Sequence, residues 1–311
     1  MDRLRIGIVG AGFGSYGLVP AFRRDDRCEV TAIATSKNWK EFVASRDVDA
    51  IAIATPPIFQ PEIALAALSN GKHVFAEKPL AATLADAEKL LKAAESSGLA
   101  NVVDFLFPEL VVFAKAKQMI AEGCIGIPLH IAAEWIFWSH DHRHQVTTWR
   151  TDAKAGGGAL SHFGSHMIYY LQWFFGPIAS VTARVAKPSD YRHSGDTLAT
   201  LMLSFESGTS GTMTVSSGVP TTPRHSVQIL GTKGSLMLSN ISGSPVSFTL
   251  QHKDCVMSEP EQSGVDCRVP ATSRIVQRFI DCILMGQKTR PSFRDGFDVQ
   301  RVIESAGCGT Q

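Results

Sequence analysis

The feature that most constrains the fold is the stretch from Arg5 to Phe22, RIGIVGAGFGSYGLVPAF. It begins with a short apolar run that is typical of a buried parallel strand. A cluster of glycines follows and permits a tight turn, and a helical spacing of apolar residues comes after the turn. The N-terminus of such a helix presents free backbone N–H groups to whatever lies over the glycines. Pyrophosphate is the usual ligand at this position.

Two glycine patterns overlap in this stretch. One starts at Gly10, directly after the strand, and the other starts at Gly12 and matches GxGxxG literally. We prefer the first, because the turn needs a glycine where the strand ends. An ordinary glycine-rich turn is the alternative, and the strand before the loop and the helix after it favour a dinucleotide site. The residues predicted to contact the dinucleotide are Gly10, Gly12, Phe13, Gly14 and Ser15.

Composition and charge favour small-molecule partners. The chain has 311 residues, 44% hydrophobic and 19% charged, which is enough for one or two domains with full cores. Its formal net charge of +1 provides no basic field for nucleic acid or a membrane surface, and no apolar run approaches the length of a membrane span. The six cysteines lack CxxC spacing, and the first strand starts too close to Met1 for a signal peptide. We therefore expect a reduced, cytoplasmic protein.

The end of the second predicted strand bears on the choice of cofactor. This strand runs from Cys28 to Thr35 and leads into Ser36 and Lys37, with no carboxylate to bind the ribose hydroxyls of NAD. Ser36 can donate a hydrogen bond and Lys37 can supply a positive charge to a 2′-phosphate. The sequence therefore favours NADP over NAD. A solvated loop lysine remains the alternative for Lys37.

The first part of the chain predicts a doubly wound parallel sheet. Strands and helices alternate through Asp49–Pro57 and the strand at His73–Phe75, which ends at EKP. Ligands of such sheets bind at the carboxyl ends of the strands. The residues at those ends are Thr55, Pro56, Glu77 and Lys78.

From about Gly126 the pattern changes to consecutive strands joined by tight turns, which predicts an antiparallel sheet. We therefore predict a dinucleotide-binding domain over residues 1–122 and a second domain over residues 123–311. Two late helices are predicted at Ser273–Leu284 and Phe297–Ser305, and Ser239–Gly264 is predicted to be a loose polar surface segment.

Three stretches together resemble the Gfo/Idh/MocA family of oxidoreductases, named for glucose-fructose oxidoreductase, inositol dehydrogenase and rhizopine catabolism. GIVGAGFGSYGLVPAF resembles the family's cofactor loop, and AIATPP with HVFAEKP resembles the ends of its third and fourth strands. WRTDAKAGGGALSHFGSH resembles the segment that begins its active-site helix. The resemblance covers almost the whole chain.

The resemblance implies an α/β fold with an N-terminal Rossmann domain that binds NAD or NADP. It also implies a C-terminal α+β domain whose large, mostly antiparallel open sheet forms a homodimer or homotetramer. The implied substrates are sugars, inositols and nucleotide sugars, oxidised at a carbinol carbon or reduced at the carbonyl. Lys78 matches the family's lysine beside the nicotinamide and the reacting oxygen, where an ammonium stabilises a developing alkoxide. A surface lysine at a strand end is the alternative.

The resemblance also locates three further catalytic candidates. His166 keeps the place of the family's histidine, but His162 and Tyr169 stand where family members often carry an Asp and a second polar residue. On a regular helix these three positions share one face, so we expect the side chains to reach one cleft. They can transfer protons, although no carboxylate is present to hold the tautomer of His166. A core aromatic residue is the alternative for Tyr169.

Three histidines, His140, His142 and His144, alternate in SHDHRHQ and raise the possibility of a metal site. No carboxylate or cysteine partner is evident elsewhere, so we predict a solvated loop and no metal. The lost carboxylates also leave open a catalytically silent, cofactor-binding regulator of the same fold. A reductase of a non-sugar carbonyl or imine is the remaining alternative.

Overall fold

The computed structural model describes residues 3–35, 37–187, 193–261 and 266–308. The chain divides into two units, one from Met1–Leu106 and Gln262–Gln300, the other from Phe107–Glu261 and Arg301–Gln311. The predicted boundary after residue 122 therefore falls inside the second unit. Packing explains this difference. The helix that ends at residue 121 packs on strands of the second unit, whereas the helix Val269–Met285 packs on helices and a strand of the first unit.

The first unit contains a five-stranded parallel sheet with the strand order β2-β1-β3-β4-β5. The strands are β1 (Leu4–Val9), β2 (Cys28–Ala34), β3 (Ala50–Ile53), β4 (His73–Ala76) and β5 (Asn101–Val103). All four residues of β3 are fully buried, as expected for a strand covered on both faces. The predicted doubly wound parallel sheet is confirmed.

The helices of the first unit connect the ends of these strands. A π-helical turn at Gly14–Leu18 leads directly into α1 (Val19–Phe22), and α2 (Trp39–Ala44) and α3 (Gln60–Ser69) follow β2 and β3. The longer α4 (Leu84–Ser97) starts at Thr83, whose hydroxyl accepts a hydrogen bond from the backbone N–H of Asp86. This contact satisfies one of the free N–H groups at the helix start.

The second unit contains an eight-stranded sheet in the order β13-β12-β11-β10-β6-β9-β8-β7. β6 and β9 are parallel and every other neighbouring pair is antiparallel, so the predicted mostly antiparallel sheet is confirmed. The strands are β6 (Pro128–Ile136), β7 (Ile178–Ala186), β8 (Leu198–Phe205), β9 (Ser210–Ser216), β10 (Arg224–Gly231), β11 (Gly234–Asn240), β12 (Thr249–His252) and β13 (Cys255–Ser258).

The prediction of a loose segment over Ser239–Gly264 is wrong where β12 and β13 extend the sheet. These strands are four residues each and expose most of their side chains, so they carry little apolar alternation. Leu250 of β12 is buried, together with Phe248 just before the strand. Two apolar contacts therefore hold an edge hairpin whose composition resembles that of a loop.

The described residues of the second unit also contain three helices that lie between strands in the sequence. They are α5 (Val111–Ala121), the single turn α6 (His140–Arg143) and α7 (Ser165–Phe175), which a π-helical turn at Leu160–Gly164 precedes. Gly164 lies against the side chains of Met213 and Val215 on β9, so the start of the α7 segment sits close to the sheet.

Two helices lie near the end of the chain, α8 (Val269–Met285) and α9 (Phe293–Cys308). Each is longer than its predicted range, because both start several residues before the first clear apolar repeat. Within the described residues, no helix combines the length and apolar character that crossing a membrane requires.

Candidate functional site

The glycine loop is shaped by the close approach of two strand ends. Gly10 has φ +116°, and a Cβ at this position would collide with the carbonyl oxygen of Ala54, just after β3. Gly14 is also confined, though less tightly, because a Cβ there would lie 2.9 Å from Cγ2 of Ile8. Both glycines are therefore required by the protein itself.

Gly12 differs from its neighbours because nothing lies within 4 Å of the place where its Cβ would be. The fold leaves this side of the loop open, so packing within the chain does not explain the glycine. A pyrophosphate that approaches the backbone closely does explain it. The loop therefore fits a dinucleotide.

Phe13 and Ser15 complete the predicted loop. The Phe13 ring packs against Gly17, and the guanidinium of Arg268 lies 4.4 Å from its centroid on the chain segment before α8. This arrangement is a cation–π contact that fixes the loop from the side. Ser15 is exposed, and its backbone N–H donates to the carbonyl of Gly12 over 3.0 Å.

At the end of β2, Ser36 lies outside the described residues, and Lys37 is exposed. The turn is closed by Asn38, whose side-chain oxygen accepts from the backbone N–H of Thr35 over 2.9 Å. Lys37 therefore extends from a turn that is fixed by local hydrogen bonds.

The ends of β3 and β4 lie beside each other, as the parallel register requires. Thr55 and Pro56 are half-buried after β3. The side-chain amide of the fully buried Gln60 donates to the carbonyl of Pro79 over 2.6 Å and so ties the EKP segment to α3. Lys78 is half-buried within this segment.

Glu77 is half-buried with its Oε1 atom out of contact with solvent, and it lies beside a second carboxyl group. Asp104 follows β5, and its backbone N–H donates to the carbonyl of Ala76 over 2.9 Å, so its carboxyl group lies at the strand end next to that of Glu77. Burial raises the pKa of Asp104 to about 6. Burial, and next the Asp104 charge, raise the pKa of Glu77 well above its usual range.

In the second unit, the glycine run places the start of the α7 segment. Gly158 has φ +125° and sits against the carboxylate of Asp196. That carboxylate accepts from the backbone N–H of Leu160 over 2.8 Å, so it caps the π-helical turn that carries His162. Burial raises the pKa of Asp196 to about 6.

The three candidates on this segment differ in environment. His162 is half-buried, packs edge-to-face on Trp149 at 4.9 Å and lines a cavity of about 450 Å³. His166 is only 6% exposed, with its ring 5.0 Å from Phe107, and Tyr169 is only 4% exposed. The π-helical turn changes the residue-to-residue rotation between His162 and His166, so a regular helical wheel does not describe this segment.

A second cavity of about 290 Å³ adjoins the first, and Phe137, Trp138 and Phe163 line both. His225 also lines the second cavity, stacked on Trp135 at 4.3 Å and hydrogen-bonded to the Tyr170 hydroxyl over 3.2 Å. Burial lowers the pKa of His225 to about 3, so the imidazole is neutral at physiological pH. Aromatic faces and a few polar groups therefore form the walls of both cavities.

The histidine run forms the helical turn α6, so the predicted loop is wrong, while His140 and His144 are exposed as predicted. Ser139 caps the turn by accepting from the backbone N–H of His142, which is buried. Asp141 accepts a hydrogen bond from the Thr148 hydroxyl. Among the residues that the structure describes, no group of three His, Cys, Asp or Glu side chains is arranged to hold a metal ion.

Sequence reasoning missed several residues of these clusters. Asp104 follows a strand in the same way as Glu77, so the rule that ligands lie at strand ends was sufficient to find it. Arg268 and Thr272 lie far along the chain, and no local pattern relates them to EKP. No local pattern identifies His225 either, because it is one of several polar residues that alternate with apolar residues along the strands.

Two family models match the chain. The model described as the oxidoreductase family, NAD-binding Rossmann fold, matches residues 28–105. The model described as the GFO/IDH/MocA C-terminal domain matches residues 113–237.

Curated relatives include oxidoreductases of sugars. An uncharacterised oxidoreductase of Synechocystis is 24% identical over 97% of this chain and 92% of its own length. The dTDP-3,4-didehydro-2,6-dideoxy-alpha-D-glucose 3-reductase of Actinomadura kijaniata is 25% identical over 99% of this chain and 96% of its own. Levoglucosan dehydrogenase of Pseudarthrobacter phenanthrenivorans is 28% identical over 59% of this chain and 54% of its own.

Among solved structures, the WlbA dehydrogenase of Bordetella pertussis, in complex with NADH and UDP-GlcNAcA, has the same fold. It superimposes with a TM-score of 0.83 at 20% identity, covering 99% of this chain and 96% of that chain.

The contrast between Gly10 and Gly12 gives a matched pair of variants. We expect Gly12→Ala to change the free energy of unfolding by less than about 0.5 kcal/mol, because its Cβ meets no protein atom. It should weaken NADH binding about tenfold or more, because the methyl group occupies the approach of the pyrophosphate. Isothermal titration and thermal denaturation measure the two effects.

Gly10→Ala is the control. It should lower the free energy of unfolding by about 1–3 kcal/mol, because a positive φ and a collision with Ala54 both oppose it. Unchanged NADH affinity in Gly12→Ala would contradict the placement of the pyrophosphate.

Proposed function

This chain belongs to the GFO/IDH/MocA family of NAD-binding oxidoreductases, and from that premise we propose that it oxidises or reduces a sugar-like substrate. The reaction is hydride transfer between the nicotinamide and a carbinol or carbonyl carbon. The observation that carries the proposal is the open side of the glycine loop at Gly12, in the same unit as the half-buried Lys78.

The substrate class is supported by the relatives and by the cavities. The names of the relatives specify levoglucosan and a dTDP-linked keto sugar, and the WlbA complex contains UDP-GlcNAcA. In this chain, the cavity beside His162 combines the aromatic faces of Phe137 and Trp138 with the polar groups of Arg150 and Ser217. A sugar ring presents C–H groups to aromatic faces and hydroxyl groups to polar side chains, so such walls suit it.

Lys78 is proposed to act on the reacting oxygen. When bound, the nicotinamide supplies the hydride acceptor or donor. The ammonium group of Lys78 stabilises the negative charge that develops on the substrate oxygen, and it donates a proton to that oxygen in the direction of reduction. In the direction of oxidation, the neutral amine accepts the proton.

The second unit is proposed to contribute His162, His166 and Tyr169. His162 is proposed to donate a hydrogen bond to a substrate hydroxyl, because it lines the larger of the two cavities. His166 is proposed to serve as an acid or base, and the packing of its ring on Phe107 limits its rotation. Tyr169 is proposed to donate a hydrogen bond beside it.

NADP is the proposed cofactor in preference to NAD. Lys37 is exposed after β2, and neither Thr35 nor Asn38 brings a carboxylate that would repel a 2′-phosphate. A lysine supplies a compact positive charge for such a phosphate.

A homodimer or homotetramer through the eight-stranded sheet is also proposed. Met202 and Val256 are 64% and 65% exposed, and Leu230 lies on the same outer face. Small hydroxyl side chains such as Thr200 and Thr212 surround Met202, so few charges need to be desolvated when two such faces meet.

Lys78→Met tests the catalytic role. Turnover should fall by about 10²-fold or more, because the variant lacks the group that stabilises the substrate oxygen, while cofactor affinity should stay nearly the same. Nicotinamide absorbance with a panel of sugars, inositols and nucleotide sugars measures turnover. Lys89→Met is the matched control on the exposed face of α4, and retained turnover in Lys78→Met would refute the role.

Lys37→Glu tests the cofactor preference. The affinity for NADPH should fall about tenfold or more, because a carboxylate replaces the cation beside the 2′-phosphate, and the affinity for NADH should not fall. Fluorescence titration measures both. Lys40→Glu makes the same charge change three residues further along the chain, at a lysine of α2 paired with Glu62. Equal losses in the two variants would contradict a specific phosphate contact.

Met202→Glu tests the assembly. Light scattering of the wild-type protein should give a dimer or tetramer, and the variant should give a smaller species because it places charges on the outer face of the sheet. Ile241→Glu is the control, since Ile241 is 77% exposed outside the strands. A monomeric wild-type protein would contradict the proposal.

A further inference from the structure

Two carboxyl groups meet in the first unit at the ends of neighbouring strands. Glu77 follows β4 and Asp104 follows β5, and the backbone hydrogen bond from Asp104 to Ala76 fixes the spacing of the two strand ends. Asp104 is 2% exposed. Two ionised carboxylates that lie side by side away from water would repel each other strongly.

The hydrogen bonds around the pair require a proton between the two groups. No N–H or hydroxyl group of the described residues donates to Oε1 of Glu77 or to Oδ1 of Asp104. Both oxygens are buried and belong to carboxyl groups at the ends of neighbouring strands, and carboxylate oxygens only accept hydrogen bonds. One of the two groups must therefore be a carboxylic acid.

The surroundings decide which group holds the proton. The hydroxyl of Thr272, on α8, donates to Oδ2 of Asp104 over 3.0 Å and so stabilises a carboxylate there. The backbone N–H of Lys78 donates to Oε2 of Glu77 over 3.2 Å, which is a longer contact. Asp104 is therefore the carboxylate and Glu77 the acid, in agreement with the raised pKa of Glu77.

Two positively charged side chains lie near the pair, one on each of two chain segments. Lys78 lies next to Glu77 in the EKP segment, and Arg268 lies just before α8, where Asp266 already pairs with it over 2.6 Å. Both cations attract the negative charge of the pair. The charge on Asp104 acts on Arg268 more strongly than on Lys78, and Asp266 offsets part of the Arg268 charge, so the net charge of the pair also acts on Lys78.

We propose that Glu77 and Asp104 share a single proton and act as a positioning pair that keeps one negative charge behind Lys78. The proposal rests on the proposed role of Lys78. A single charge favours the ammonium form, and so helps Lys78 regain a proton after it has donated one to the substrate oxygen. A second charge would favour the ammonium form further, and loss of the charge would favour it less.

Infrared spectroscopy tests the shared proton without any turnover. At pH 8 the wild-type protein should show the C=O stretch of a buried carboxylic acid, and Glu77→Gln should lack it. Asp196 does not interfere, because its pKa of about 6 leaves it ionised at this pH. A wild-type spectrum without this band would overturn the shared proton, whatever the activity.

The pH profile of carbonyl reduction tests the positioning role. Reduction needs protonated Lys78, so the rate falls as pH rises through the pKa of that lysine. Glu77→Gln keeps one negative charge on Asp104, so the alkaline limb of its pH–rate profile, where the rate falls, should stay at the same pH. Asp104→Asn moves the charge to Glu77, next to Lys78, so the limb should move to higher pH.

The double variant, Glu77→Gln with Asp104→Asn, removes the charge but keeps an amide pair of similar shape. Its alkaline limb should move to lower pH by about one unit. A merely structural role would change thermal stability or kcat without moving the alkaline limb of the pH profile. If that limb stays in place in both Asp104→Asn and the double variant, the positioning role is overturned. Retained turnover in Lys78→Met would instead refute the proposed function, and the infrared result would still stand.

Discussion

The conformation of the cofactor loop depends on how closely the end of β1 approaches the end of β3. Gly10 fits there only because it has no Cβ to collide with the Ala54 carbonyl, and Gly14 fits over Ile8 for the same reason. With these two positions fixed by the protein, Gly12 is left facing open space. The loop is thus preformed for a ligand that approaches the backbone, which lowers the cost of ordering on binding.

Burial at the strand ends determines the electrostatics of the first unit. The pair Glu77 and Asp104 is tolerated only because one proton, the Thr272 hydroxyl and two nearby cations offset the desolvation of the charge. The same burial that would destabilise two free carboxylates therefore creates a fixed charge near Lys78. Stability and the proposed chemistry have a common physical origin here.

The sequence predicts the parallel sheet well, because apolar strands and a glycine turn are local signals; the glycine loop followed from Gly10 directly after β1. The edge strands β12 and β13 were missed, since Leu250 is the only inward apolar residue of β12. The environment of His166 was not predictable either. It depends on a π-helical turn and on Phe107, which lies 59 positions earlier in the chain.

Deuterium transfer is the most direct measurement of the central claim, that this chain moves a hydride between nicotinamide and a sugar carbon. The purified protein is incubated with NADPH or NADH deuterated at C4 and with a panel of keto sugars and keto nucleotide sugars, and the products are analysed by mass spectrometry. The account predicts deuterium at the new carbinol carbon of at least one product. Stoichiometric binding of the reduced cofactor with no deuterium in any product would contradict it.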